Sequence, residues 1–239
     1  MMSQATNLAD PLDAVSPVGP ERTVEGLIAR ELRESILSGR LKPGVRLPYR
    51  QLAEQFDVSV TPVRMALREL VTEGLIEMRP HGGASVASLS IDELEELYSM
   101  RIGLEAWLSL LGAPRMTDEN ITSMRAKFEK LENYARTRDR GPYLSAALEY
   151  RSVCYAAADR PRLTATASQL FKRTGRYTIL SLTKEYRFDQ SLEFQRQFGE
   201  CCEAKDGRGA QECIRKALEW SLEYISATLN QLGADAGSV

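Results

Sequence analysis

Turn-forming residues break the segment over residues 22–90 into pieces too short for anything but small helices and strands. Gly39, followed by the pair Pro43-Gly44, stops the first apolar repeat of helical spacing, and Gly74 stops the third. A Pro-His-Gly-Gly turn at residues 80–83 separates two short strand-like stretches. Helices are predicted over residues 24–36, 50–56 and 61–73, and strands over residues 75–78 and 84–87. Three helices followed by a β-hairpin predict a winged helix-turn-helix.

The rest of the chain has the apolar spacing of helices throughout. Ser90 and Glu93 have the spacing of a capping box that opens the first of them. Further helices are predicted near residues 117–137, 142–158, 161–182, 189–204 and 206–229. Six helices of this length predict a bundle, with ligand sites in its core between the helices. The predicted fold class is therefore mainly α, with an N-terminal winged helix-turn-helix followed by an all-helical bundle.

These patterns divide the chain into four parts. They are a disordered leader over residues 1–20, a winged helix-turn-helix domain over 21–88, an all-helical domain over 89–232, and a flexible tail over 233–239. The leader carries three prolines and neither Lys nor Arg, so it lacks the basic and then apolar order of a signal peptide. No stretch approaches the roughly 18 apolar residues of a membrane helix. We therefore expect a cytoplasmic protein without a membrane partner.

Charge alone gives little indication of a nucleic-acid partner. The formal net charge of the chain is -2. Residues 22–90 hold ten Lys and Arg against eight Asp and Glu, an excess of two. A mild local excess is compatible with DNA binding but does not predict it.

The third predicted helix carries the candidate base-reading residues. Arg64 and Arg68 point away from its apolar face, and long polar side chains of such a helix read base edges in the major groove. Ser59 and Thr61 lie at the turn and at the start of the helix, where hydroxyl and backbone N–H groups hold phosphates. Thr61 is the predicted N-cap, with Pro62 in the first turn.

Three more residues complete the predicted DNA-binding surface. Arg50 opens the preceding helix and can reach the phosphate backbone, while His81 and Gly82 at the tip of the wing can enter a minor groove. An isolated surface Arg most often serves only as a solvated charge. Together, on one unit of three helices and a wing, these residues predict DNA binding.

The N-terminal domain resembles the GntR family of bacterial regulators. The resemblance rests on ILSGRLKPGVRL over residues 36–47, LAEQFDVSVTPVRMAL over 52–67, and Leu70 followed by EGLI over 73–76. It implies that six positions contact DNA: Arg50, Ser59, Thr61, Arg64, His81 and Gly82. The family usually has Arg where Val60 stands and Glu where Met65 stands, so we expect an atypical operator.

The helical half, with Arg101 and Glu105 on its first helix, resembles the FadR/FCD branch of that family. This resemblance implies a homodimer, and in many members a metal held by one acidic residue and three histidines, with a small carboxylate effector bound to it. Aligning the helices by their ends places those positions at Ala147, Arg151, Gln195 and Ala217. None of these side chains suits a metal, and the only histidine of the chain is His81. We therefore expect neither a metal nor another cofactor.

Arg151 projects from an otherwise apolar helix face, and a buried cation needs a partner. One hypothesis is that Arg151, with Arg101 and Gln195, binds a carboxylate or other anionic metabolite directly and replaces the charge of the metal. The alternative is an internal ion pair, for which Glu105 and Glu149 are the obvious carboxylates.

Cysteines offer a third possibility for the helical half. Cys154, Cys202 and Cys213 have spacings that allow a thiolate metal or redox site, although small buried thiols more often serve as apolar packing.

The sequence thus predicts a ligand-responsive repressor that binds a near-palindromic operator as a homodimer. The alternative is an effector-independent DNA-binding protein whose helical half only dimerises. No enzyme is expected, because the chain shows no nucleophile motif, no phosphate loop and no histidine outside the wing.

Overall fold

The computed structural model describes residues 23–79 and 83–236, which form a mainly α-helical protein as the sequence predicts. The helices are α1 (Val24–Leu37), α2 (Tyr49–Gln55), α3 (Val60–Thr72), α4 (Ile91–Gly112), α5 (Asp118–Thr137), α6 (Arg140–Ala157), α7 (Pro161–Ser181), α8 (Glu185–Glu203) and α9 (Gly207–Ala236). The strands are β1 (Arg46–Leu47), β2 (Ile76–Arg79) and β3 (Gly83–Val86). Helix α9 continues four residues beyond the predicted end of the helical domain. The predicted leader and residues 237–239 lie outside the described residues.

Helices α1, α2 and α3 pack around one apolar core under a small sheet, which confirms the winged helix-turn-helix. The side chains of α3 that face this core are the ones that its spacing predicts: Val63, Ala66, Leu67 and Leu70. All four are fully buried, so the opposite face of α3 is left to solvent. A single amphipathic helix thereby both closes the core and presents a polar surface.

The sheet has the strand order β1-β3-β2, and both pairings are antiparallel. The predicted hairpin is present, with Ile76 opposite Val86 and Glu77 opposite Ser85. Strand β1 is not predicted from the sequence, because two residues are too few to show an alternating pattern. Leu47 of β1 is buried in the core, so this strand anchors the loop after α1 to the wing.

The start of α3 differs from the prediction by two residues. Ser59 is the N-cap, and Thr61 lies in the first turn of the helix. Pro62 still falls in that turn, where its missing N–H leaves no intrahelical bond unmade. The Ser59 side chain makes no capping hydrogen bond, so the first N–H groups of α3 have no side-chain acceptor from the cap.

The start of α4 is half of a capping box. The Ser90 hydroxyl accepts a hydrogen bond from the N–H of Glu93, but the Glu93 carboxylate does not return to Ser90. It accepts hydrogen bonds from Arg176 and Tyr177 of α7 instead, and the Ser90 N–H donates to the Tyr177 hydroxyl. The contacts of Glu93 with α7 therefore replace the local hydrogen bond that a full capping box would form between the Glu93 side chain and the Ser90 N–H.

Helices α4–α9 form a second apolar core, and α4 packs most extensively against α9. Gly112 lies at a close contact between α4 and α6. A Cβ atom there would lie 2.1 Å from the carbonyl oxygen of Cys154, so no side chain fits. None of the helices in the described part of the chain is long and apolar enough to cross a membrane.

Candidate functional site

The solvent face of α3 carries the residues that the sequence assigns to DNA. Thr61, Arg64, Met65 and Arg68 are exposed. Neither Arg64 nor Arg68 forms a salt bridge with any described residue. Two cations on an exposed helix face are thus available to an external anion.

Arg64 is oriented by an aromatic ring that the sequence does not single out. Its guanidinium carbon lies 5.5 Å from the centroid of the Tyr49 ring, at the start of α2. The Tyr49 hydroxyl in turn lies 3.5 Å from the sulfur of Met78 on β2. One tyrosine therefore connects α2, the exposed face of α3 and the wing.

Arg50 and Ser59 line one open groove at the N-terminal end of α3. Both residues are exposed, and the Asp57 backbone between them has a left-handed φ of 52°, which reverses the chain between α2 and α3. The Ser59 hydroxyl and the N-terminal N–H groups of α3 are donors on the same surface as the Arg50 cation. His81 and Gly82, the two predicted residues of the wing tip, lie outside the described residues.

A cavity in the bundle lies where the helix-end alignment places a ligand site. Ala147, Arg151, Gln195 and Ala217 all line it, together with Arg101. The cavity encloses about 40 Å³, which is room for about three water molecules. The structure therefore brings the four aligned positions together on α6, α8 and α9, although they lie up to 70 residues apart in the sequence.

The wall of this bundle cavity holds a buried ionic network centred on Glu105. Arg101 donates from Nε to Glu105 Oε1 at 2.6 Å and from Nη1 to the Thr174 hydroxyl at 2.9 Å. Arg151 donates from Nη1 to Glu105 Oε2 at 3.4 Å and from Nε to Gln195 Oε1 at 3.1 Å. Nη2 of each arginine donates to no described residue.

Glu105 is ionised in this network. Its burial disfavours the charged form, but the positive charges of Arg101 and Arg151, with hydrogen bonds from Arg101 and Tyr155, lower the pKa of Glu105 below its usual value. The Tyr155 hydroxyl donates to Glu105 Oε2 at 2.8 Å. Burial and the neighbouring Glu105 charge raise the pKa of Tyr155, so this phenol stays protonated.

The predicted internal ion pair of Arg151 is present, and its carboxylate is Glu105. Glu149, the other candidate, is exposed and pairs with Lys127 at 3.2 Å. The pair leaves one buried positive charge without a carboxylate, because Arg101 and Arg151 share Glu105. Both hypotheses for Arg151 therefore have support: it is paired internally, and its surroundings keep an excess of positive charge.

The three cysteines of the proposed thiolate site do not meet. Cys202 contacts Cys154, whereas Cys213 lies 3.8 Å, sulfur to sulfur, from Cys201. Burial raises the pKa of Cys201 to about 12, so its thiol is protonated at neutral pH and is a poor nucleophile or ligand. No cluster of three metal-ligating side chains exists among residues 23–79 and 83–236.

A joint between the two domains is formed by α7. Arg176 donates from Nη1 to the carbonyl oxygen of Gly74, just beyond the end of α3. Its Nη2 donates to Glu93 at the start of α4. Arg176 is 7% exposed and its Nε has no partner, so this arginine is buried at the joint. Sequence reasoning missed it, because no local pattern distinguishes it from the surface arginines around it.

Comparison with known proteins matches both domains. Residues 26–86 match the family described as bacterial regulatory proteins, gntR family, and residues 96–219 match the FCD domain. The second match alone spans more than half of the chain. The predicted resemblance to the GntR family and its FCD branch is therefore confirmed.

Individual relatives agree with these matches. The HTH-type transcriptional regulator McbR of Escherichia coli (strain K12) is 24% identical over 206 residues, 85% of this chain and 93% of the relative. The probable D-xylose utilization operon transcriptional repressor of Paenarthrobacter nicotinovorans is 27% identical over 223 residues, 93% of this chain and 96% of the relative.

A solved structure described as E. coli McbR/YncC shares the fold. It superposes with a TM-score of 0.73 at 23% identity, over 87% of this chain and 99% of that chain. The family and these relatives are transcription regulators and not enzymes. The chain therefore belongs to the gntR family of bacterial regulatory proteins with an FCD domain, and it is a DNA-binding transcription regulator.

Proposed function

We propose that this protein is a cytoplasmic repressor that binds a near-palindromic operator as a homodimer and responds to a small anionic metabolite in the bundle cavity. Repression is inferred from relatives named as repressors, such as the one for D-xylose utilization. The observation that carries the effector proposal is the charge of the cavity wall, where two buried guanidinium groups share one carboxylate.

A buried charge without a partner is costly, and an anionic ligand would supply the missing one. Arg101 and Arg151 both line the cavity, and Nη2 of each donates to no described residue. Gln195 lines the same cavity and orients Arg151 through its side-chain oxygen. These three residues therefore form the proposed effector site.

The effector proposal is tested by replacing one cavity arginine. Arg151→Met should abolish the rise in Tm that small carboxylates produce. It should also abolish the effect of these carboxylates on DNA binding, measured with a duplex that the protein has selected from a random pool. The matched control is Arg196→Met on α8, an exposed arginine that pairs with Glu132 and Glu193 outside the cavity. Equal stabilisation of Arg151→Met and wild type would refute the site.

The DNA contacts are proposed on the exposed face of α3 and its surroundings. Arg64 and Arg68 would read base edges, and Arg50, Ser59 and Thr61 would hold phosphates near the start of the helix. His81 and Gly82 are proposed for the minor groove on sequence alone. The other five residues are supported by their exposure. In addition, the three arginines among them form no salt bridge with any described residue.

The dimer contact is proposed on the outer face of α4. Met100 and Trp107 are 39% and 49% exposed there, and Gly103 between them has open space above it. Large apolar side chains gathered on one exposed helix stripe are typical of protein interfaces. Since α4 also carries Arg101 and Glu105 on its inner face, such an interface would connect the dimer to the cavity.

Light scattering after size-exclusion chromatography tests this interface. Trp107→Glu should convert a dimer into a monomer, whereas Tyr186→Glu should not. Tyr186 is 55% exposed on α8 and provides a control for adding a charge at an exposed aromatic residue. A Trp107→Glu protein that remains dimeric would place the interface elsewhere.

Helix α7 is the proposed route from the cavity to the DNA-binding domain. Thr174 accepts a hydrogen bond from Arg101 in the cavity wall, and Arg176, two residues later, binds the Gly74 carbonyl beyond α3. A shift of α7 on ligand binding would therefore move the end of α3. Arg176→Met should retain ligand binding but weaken its effect on DNA affinity, and an unchanged effect would exclude this route.

The alternative, a bundle that only dimerises, has one observation in its favour. The cavity encloses only about 40 Å³ and its arginines already have internal partners, so any effector larger than about three water molecules must open it. A broad panel of small anions that changes neither Tm nor DNA affinity would favour this alternative.

A further inference from the structure

Arg187, near the start of α8, is a buried guanidinium of the bundle in addition to Arg101, Arg151 and Arg176, and it has no carboxylate partner among the described residues. It is 3% exposed. Its guanidinium carbon lies 3.3 Å from the centroid of the Trp220 ring and 4.1 Å from that of Tyr224. Nε donates to the Ser181 carbonyl oxygen at 2.9 Å, and Nη2 is buried with no hydrogen-bond partner.

Two aromatic faces and one carbonyl do not neutralise this cation. Each cation–π contact stabilises the charge far less than burial without a partner destabilises it. Burial accordingly lowers the pKa of Arg187, yet guanidinium remains charged at any physiological pH. The negative charge of Glu223 opposes this lowering of the pKa, but Glu223 is exposed and forms no salt bridge with Arg187.

Arg187 lies directly behind one end of the bundle cavity. Two of the three residues that contact it, Ser181 and Trp220, line the cavity. On α8, Ser191 and Gln195 follow Arg187 by one and two turns on the same face, and both line the cavity as well. The unsatisfied Nη2 is therefore one layer of side chains away from the site of Arg101 and Arg151.

The charges around the cavity determine which ligand would match it. Arg101, Arg151 and Arg187 contribute three buried positive charges, and Glu105 contributes one negative charge. The difference, three minus one, leaves two positive charges to be matched. A monoanion would leave one of them unpaired, whereas a ligand with two negative charges would neutralise the cluster.

We propose that the effector is a small dianion whose two charged groups are separated by a short carbon chain, one bound by Arg101 and Arg151 and the other by Arg187. This inference rests on the proposed effector site. Arg187 and Gln195, which holds Arg151, are eight residues apart and so about 12 Å apart along α8. The length of the arginine side chains shortens the gap between the two cationic groups, so dicarboxylates of about three to six carbons match this span once the cavity opens to admit them.

The test uses matched pairs of probes that differ by one charge. Malonate, succinate, glutarate and adipate are each titrated against the full-length protein by calorimetry, beside the monoamide of the same acid. At least one dicarboxylate should bind at least about tenfold more tightly than its monoamide. Affinity should peak at one chain length, because the two cationic sites are fixed on one helical frame.

Arg187→Met and Arg151→Met then separate the two ends of the ligand. Arg187→Met should reduce the affinity of the dicarboxylate to that of its monoamide and leave the affinity of the monoamide unchanged. Retained monoamide binding also shows that this variant is folded. Arg151→Met should weaken both ligands. Arg196→Met, whose guanidinium lies 5.8 Å from the Phe128 ring outside the cavity, is the control for loss of a stacked arginine on α8.

The outcomes distinguish the two proposals. Equal binding of a dicarboxylate and its monoamide, with loss of both in Arg151→Met, would overturn the dianion and keep the effector site. Equal losses for both ligands in Arg187→Met would show a structural role for Arg187 and also overturn the inference. Binding by none of the probes would overturn the dianion class together with the anionic effector.

Discussion

The candidate anion-binding arginines of the two domains are placed in opposite ways. On α3, Arg64 and Arg68 are exposed and form no salt bridge with other described residues. In the bundle, Arg101, Arg151 and Arg187 are each at most 6% exposed, and two of them pair with Glu105. The same type of side chain is thus solvated at the proposed DNA surface and desolvated at the proposed effector site.

This difference separates two kinds of anion recognition. An exposed arginine contributes to DNA binding through counterion release and base contacts, and its removal hardly affects folding. A buried arginine is coupled to stability, because its charge must be neutralised inside the protein. Changing a buried charge of the bundle should therefore mainly lower the stability of the protein, whereas changing a charge on the α3 surface should mainly lower its affinity for DNA.

The largest effect is expected from Glu105→Gln. This change removes the only carboxylate that pairs with Arg101 and Arg151 in the described structure, and it leaves two buried cations without a counter-charge. Breaking a buried pair in this way costs about 3–5 kcal/mol of unfolding free energy. Urea denaturation measures the loss.

Glu149→Gln is the matched control for this loss. Glu149 is exposed and pairs with Lys127, so its removal should change the unfolding free energy by at most about 1 kcal/mol. Adding Arg101→Met to Glu105→Gln should recover part of the stability, because one unpaired cation is removed. Similar losses in Glu105→Gln and Glu149→Gln would show that the network contributes little.

Acid should remove the same charge gradually. The pKa of Glu105 is lowered in the folded protein, so its contribution is complete above its unfolded pKa of about 4.5 and is lost as the pH falls through the lower folded value. Because other carboxylates titrate in this range, the measurement is the difference in unfolding free energy between wild type and Glu105→Gln. That difference should narrow as the pH falls below about 4.5. A constant difference would mean that Glu105 does not titrate there.

On the α3 surface, Arg64→Ala should act on affinity alone. Loss of one base contact lowers specific DNA affinity on the order of tenfold to a hundredfold, while the unfolding free energy changes by about 0.5 kcal/mol or less. Fluorescence anisotropy on specific and random duplexes measures the first quantity. Arg208→Ala, an exposed arginine at the start of α9, should leave affinity unchanged. An equal loss on specific and random DNA would assign Arg64 to a phosphate instead.

The sequence predicts the buried residues of α3 and the helices of the bundle, because both depend on spacing within one element. It also places Arg151 and Gln195 in one cavity, through the alignment of helix ends. It does not predict the contact of Arg176 with Gly74, which joins residues 102 positions apart. Nor does it predict the roles of Tyr49 and Arg187, since these depend on which side chains other helices bring near them.

The smallest effect, and the finest test of the contrast, is expected at Tyr49. An exposed cation–π contact is worth about 0.5–1 kcal/mol, so Tyr49→Leu should lower specific DNA affinity by about twofold to fivefold through loss of the orientation of Arg64. Tyr49→Phe keeps the ring and loses only the hydroxyl near Met78, so it should bind like wild type. If the tyrosine acts through Arg64, Tyr49→Leu should add nothing to Arg64→Ala. Independent, additive losses would instead place Tyr49 itself against DNA and extend the interface from α3 to the start of α2.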